Sequence, residues 1–389
     1  MNTNKLNFTI FMGIIVLPFI FNWAYGHGLF SSPLTIGVTL ILFTLLLSVN
    51  FNKIMTIPDF LALFTLVVTL WMTSKTYKAY GCAFTCFNIF IHTLLVNNIT
   101  FSRKQILAFH SVIVIFLGIF IFTLKIVPHY DSIYVYQLNG LMINPNTLGI
   151  LMLSLYFHFL ILTNMLFANK LKLLFFIIAT PVVLYYIKLS QCRSAYISLV
   201  IFFLLWAFKG FNMKHYSKLL LIAVIVAIFF PFVYLKIADN LSGLSLGGKS
   251  LLSREAVWKS AIELIKEYPL LGSGTVFYMK STNNMLTSSA HNVFLGLWKT
   301  IGFFPMIIFS LRLNKGRNMR NITGINIIKK KMFLSCIILC IFETLLNDSD
   351  TYIFFMTLLL TEKMTEEKDI SSQNIPLDAP GIQNTLERG

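Results

Sequence analysis

The chain has 389 residues, 57% of them hydrophobic and 12% charged, with a mean hydropathy of +0.76. No water-soluble core absorbs that much apolar sequence, so a soluble domain is excluded. The net charge of +16 would point to nucleic acid in a soluble protein; in an apolar chain its distribution matters more than its sum, and no nucleic-acid partner is expected.

A hydrocarbon core of about 30 Å needs about 20 apolar residues per helix. Near-uncharged runs predict spans at Phe8–Asn22, Ser32–Val49, Ile57–Met72, Tyr80–Val96, Gln105–Ile126 and Thr147–Leu166, then at Leu171–Ile187, Ala195–Phe208, Leu219–Tyr234, Asn292–Leu311, Met332–Leu345 and Thr351–Thr361. The last two are short enough to be one broken helix, so the expected fold is an all-α polytopic membrane protein with about 11–12 transmembrane helices in one domain, residues 1–361. These runs are apolar all round, which favours helices over the alternating strands of a barrel. Ala24-Tyr25-Gly26 loosely resembles a signal-peptide cleavage site, but the single Lys5 before the first run and the many spans after it favour its retention.

Basic residues set the orientation. With the N-terminus in the cytoplasm, the inner segments hold Lys53, Arg103, Lys104, Lys170, Lys172, Lys209, Lys214, Lys218 and the stretch Arg312–Lys331, whereas the short outer loops hold Lys75, Lys78, Lys188 and Arg193. This puts residues 239–291 outside as one long loop and the polar tail 362–389 inside. Pro128–Asn146, without Lys or Arg and rich in Tyr, reads as an interfacial segment. The i,i+4 pairs Cys82/Cys86 and Cys336/Cys340 have the spacing of metal ligands but lack partners, so packing is the expectation and no metal or cofactor is assigned.

The long loop opens with flexible SGLSLGGKS and continues into SREAVWKSAIELIKEY, capped by Ser253 and closed by Pro269. Arg254, Trp258, Ala261 and Ile265 share one stripe of that amphipathic helix, which is expected to lie against the outer membrane surface. In LLGSG, Gly272 and Gly274 let backbone amides approach an anion, although any tight turn uses glycine. His291 and Asn292 stand at the mouth of the next span.

Arg193, in KLSQCRSAYISL, opposes the positive-inside trend and needs a reason to be there. Arg193, Arg254 and His291, all outside near head-group level, suit a multiply charged anion such as a lipid diphosphate, because the guanidinium fork gives bidentate hydrogen bonds to phosphate. Asp348 and Asp350 form a carboxylate pair, but in a short outer turn where a solvated role is expected; Glu343 before it is placed to contact substrate or a neighbouring Arg.

The phrases NPNTLGILM at Asn144–Met152, CRSAYISL with Arg193, the R-x-x-x-W helix with Arg254 and Trp258, YPLLGSG at Tyr268–Gly274, and AHNVFLGLWKTIGFF from Ala290 together resemble the O-antigen ligase and O-antigen polymerase superfamily of bacterial inner membranes. The resemblance spans roughly Asn144–Pro305. It implies metal-independent glycosyl transfer from undecaprenyl-diphosphate-linked oligosaccharide at the periplasmic face, with Arg193 and Arg254 on the diphosphate and His291 as base or phosphate ligand. Asn144 and Asn292 match motif positions of less definite role, and Cys192-Arg193 stands where Ser-Arg or Thr-Arg is usual. A polymerase joining repeat units is favoured over a ligase acting on lipid A–core, with a flippase or a chain-length regulator as partner. A transporter of lipid-linked sugars is the competing class; it would need polar groups at mid-membrane, of which the spans look almost free.

Overall fold

The computed structural model describes residues 6–13, 16, 41, 67–68, 71, 100–129, 132–136, 142–208, 215–238, 252–273, 279–280, 286–287, 290–314, 324–343, 357–361 and 365–366. Apart from a few positions, the four spans predicted before Gln105 lie outside these residues, as do Gly274, the Asp348/Asp350 turn and nearly all of the tail.

The rest is an α-helical membrane bundle, as the composition requires. After the two-residue strand β1 (Thr100–Phe101), Ser102 caps helix α1 (Arg103–Thr123) through a reciprocal capping box with Gln105. Strands β2 (Lys125–His129), β3 (Ser132–Tyr136) and β4 (Met142–Ile143) form an antiparallel meander. The segment read as interfacial is therefore a small sheet, in which backbone polar groups are satisfied by pairing at the bundle end. Helices α2 (Pro145–Leu166), α3 (Asn169–Ser190), α4 (Arg193–Ala207) and α5 (Tyr216–Ala238) follow. Next come α6 (Leu252–Glu267), paired strands β5 (Met279–Lys280) and β6 (Leu286–Thr287), α7 (Val293–Ile301), α8 (Phe303–Asn314) and α9 (Gly324–Phe342). Strand β7 (Thr365–Glu366) runs parallel to β1.

Among the described residues four helices, α1, α2, α3 and most of α5, are long and apolar enough to cross a membrane. Helix α2 is the buried centre, flanked by α1, α3, α4 and α9, while α3 and α5 turn Leu173, Ile177, Tyr185, Ile222, Val226 and Phe229 outward. An apolar exterior on long helices is what a hydrocarbon solvent selects. Where α4 meets α9, Ser198 donates to the Ser335 carbonyl at 2.6 Å. Such small polar residues let helices approach closely in lipid.

Three expectations about the spans change. The predicted run Asn292–Leu311 is two helices, broken at Gly302, whose φ of +91° ends α7. The turn after α6 fills the break: Phe303 N–H donates to the Leu270 carbonyl at 3.1 Å, and Ser273 N–H to the Lys299 carbonyl at 2.7 Å. Helix α9 starts well before Met332 and carries Lys329–Lys331 in its first turns; Lys331 reaches the Phe208 carbonyl at 3.3 Å and Lys330 lies 4.8 Å from the Tyr216 ring. Basic residues thus stay helical by directing their heads to the bundle end. Finally, the helices are not free of buried polar groups: His110 of α1 and His158 of α2 approach Nδ1 to Nδ1 at 3.0 Å, both fully buried.

Candidate functional site

One end of the bundle brings together the N-termini of α2, α4, α6 and α7 and the C-termini of α3, α5 and α9. It is the end that charge asymmetry assigned to the outside. Gln191, at φ 52°, closes α3 in a left-handed C-cap, so the chain turns within two residues and starts α4 at Arg193. Helix α2 is close-packed against that turn at Gly149, where a Cβ would stand 2.5 Å from Ser190 Oγ and 2.6 Å from Cys192 Cβ. Position 149 therefore has room only for hydrogen, and the turn that carries Arg193 is held by it.

Arg254, in the first turn of α6, is ion-paired with Glu343 at 3.4 Å. Glu343 directly follows α9, and its carboxylate accepts a 2.8 Å hydrogen bond from Ser194 Oγ. The guanidinium lies 5.4 Å from the Phe342 ring centre, so the last residue of α9 and the one after it supply an aromatic face and a carboxylate to the same cation. Glu343 and Arg254 also act electrostatically on the Cys192 thiol. Both sequence neighbours of Arg193 thus face the Arg254–Glu343 pair, and Arg193 itself is half-buried beside them.

His291 lies within the field of Arg254, next to Ala290, whose carbonyl accepts from Trp258 of α6. It stands just before α7 at φ 47°, and burial, followed by the field of Arg254, lowers its pKa to about 4. The imidazole is therefore neutral at physiological pH, able to make hydrogen bonds but a poor proton acceptor.

Other expected site residues do structural work. Trp258 is fully buried rather than at a lipid head group: its indole N–H donates to the Ala290 carbonyl at 2.9 Å and its ring meets Phe230 and Tyr234 edge to face. The stripe Trp258, Ala261 and Ile265, joined by Val257, packs on Ala290 and Leu295, so the apolar face of α6 is covered by protein. This arrangement holds Arg254 and His291 in one frame. Asn292 caps α7, accepting from Leu295 N–H at 2.8 Å and donating to the Ala227 carbonyl of α5 at 2.9 Å. Asn144 is exposed and caps α2. At Gly272 the close approach is to backbone: its amide donates to the Tyr268 carbonyl, and a Cβ there would stand 2.6 Å from the Gly302 nitrogen.

Ser194 is the member of the cluster that sequence reasoning missed. A serine one residue into an apolar helix carries no signal of its own; only its place beside an outward arginine hinted at it. Among the described residues no group of three or more His, Cys, Asp or Glu is placed to hold a metal ion.

Residues 173–310, which run from α3 through α8 and include Arg193, Arg254 and His291, match the family model described as O-antigen ligase. No curated protein and no solved structure matches the chain.

Proposed function

We propose that this chain, whose residues 173–310 match the O-antigen ligase family model, belongs to the O-antigen ligase and polymerase family and is a metal-independent glycosyltransferase that takes its glycan from undecaprenyl diphosphate at the periplasmic face of the bacterial inner membrane. The observation that carries the reading is the convergence of Arg254 with the residues around Arg193 and with His291, from three distant parts of the sequence, at one end of the bundle. Arg193 and Arg254 hold the diphosphate and stabilise the charge that develops on it as the glycosidic bond breaks. The neutral imidazole of His291 hydrogen-bonds phosphate or sugar. Single in-line displacement inverts the anomeric carbon.

Two acceptors fit this chemistry. A second lipid-linked repeat unit makes the protein a polymerase, and a lipid A–core sugar makes it a ligase. The polymerase is our preferred reading, since Cys192-Arg193 departs from the phrasing usual in the superfamily. In a deletion strain a single repeat unit left on the core supports the polymerase, and bare core supports the ligase.

The transfer itself is tested with purified protein and a lipid-linked repeat unit, with and without chelator. Activity that survives chelator and drops about 10²–10³-fold in Arg254→Ala supports the reading. An Arg254→Ala protein as active as the parent overturns it.

A further inference from the structure

The pair Arg254–Glu343 raises a question that diphosphate binding alone leaves open. A carboxylate next to a phosphate-binding arginine repels the incoming anion, and its side chain is 7% exposed. A surface counter-ion would be easily displaced. Here Ser194 holds the carboxylate from α4 while Phe342, from the same end of α9, sits under the guanidinium. The site is built to keep a carboxylate where the donor's charge must go.

We infer that Glu343 is the general base of the transfer, released for proton uptake when the donor diphosphate takes over Arg254. This rests on the proposed glycosyl-transfer reading of the site. Before donor binding, Arg254 compensates the carboxylate and Ser194 donates to it; among the described residues Cys192 faces the pair, His291 lies in the field of Arg254, and Arg193 stands between Cys192 and Ser194 in the chain. Once a diphosphate occupies the guanidinium, the carboxylate loses its counter-charge and gains an anionic neighbour. Both changes favour taking up a proton.

The acceptor hydroxyl supplies it. Its oxygen forms the new bond to the anomeric carbon, the bond from that carbon to the diphosphate oxygen breaks, and the electron pair leaves on the diphosphate held by Arg193 and Arg254. The proton passes to Glu343 and later to solvent. His291 is poorly suited to that role, because burial and then Arg254 disfavour its protonation. Coupling the base to donor occupancy also means that no hydroxyl is activated before there is a donor to attack.

The test uses the full-length protein in detergent with the lipid-linked repeat unit. Glu343→Gln keeps the shape and accepts the Ser194 hydrogen bond; kcat should fall about 10²–10⁴-fold while donor KM and competition by inorganic pyrophosphate stay unchanged or tighten. The acidic limb of the parent's kcat–pH profile should vanish in this variant. In Glu343→Ala, added formate should restore part of kcat, a response that a merely structural carboxylate would not give. Parental kcat in Glu343→Gln, or lost donor binding without formate rescue in Glu343→Ala, overturns the inference while the parent's transfer activity leaves the proposed function standing. A parent protein without transfer activity overturns both.

Discussion

His291 occupies the left-handed region at φ 47°, so replacing it by alanine removes an imidazole and strains the backbone together. Asparagine tolerates that conformation and separates the two effects. Because burial and Arg254 lower the folded-state pKa to about 4, the unfolded chain takes a proton near pH 6.5 that the folded site refuses. The corresponding stability is fully present above pH 6.5 and is lost as pH falls from there towards 4, about 3 kcal/mol in all. His291→Asn should flatten that part of the stability curve in thermal unfolding at pH 7.5 and pH 5; an unchanged slope would show that the imidazole already titrates normally. At this scale much of the site was legible. Arg193 stood out because an outer arginine opposes the positive-inside trend, Arg254 because it shares a helix stripe with Trp258, and Glu343 was marked only as an acid within a span able to contact substrate or a neighbouring Arg. Gly272 left two readings open, since glycine beside a phosphate and glycine beside another backbone leave the same trace in sequence; its contact with Gly302 favours the second.

Helix α6 is the element on which the site depends. Its periodicity correctly identified the stripe of Arg254, Trp258, Ala261 and Ile265, but an amphipathic stripe does not say what it faces. The surface it covers is formed by α5, α7 and the segment before α7, contributed by Phe230, Tyr234, Ala290 and Leu295. Trp258 is the main anchor. Trp258→Phe keeps most of the ring packing but leaves the Ala290 carbonyl without its 2.9 Å donor, at a cost of about 1 kcal/mol. Trp258→Ala should cost about 3–5 kcal/mol and misplace Arg254, so donor binding should fall with it. Thermal melts and pyrophosphate binding on the two variants check this order; alanine as mild as phenylalanine would mean that α6 is held elsewhere. The helix break at Gly302 likewise escaped the hydropathy pattern, because both halves are apolar and the interruption is a backbone event.

Across the whole molecule, the arrangement makes a prediction about sides. Lys259, exposed on the outer face of α6 in an i,i+4 pair with Glu255, is a natural labelling position. In a cysteine-free background, Lys259→Cys should react with a membrane-impermeant thiol reagent added outside intact spheroplasts; reaction only after the membrane is opened would place the site on the cytoplasmic side and remove the periplasmic mechanism. The sequence by itself determined that this is a helical membrane protein, which end of each span carries the unusual charges, and which few residues are out of place in an apolar chain. Those properties are local, set by hydropathy over about 20 residues and by the cost of charge in hydrocarbon. Only the tertiary structure decided that Ser194, Arg254 and Glu343 meet, since they lie up to 149 positions apart and their contact depends on how α4, α6 and α9 pack. Helix packing in lipid is set by shape and small polar contacts rather than by a hydrophobic gradient, and that information is spread over every interface in the bundle.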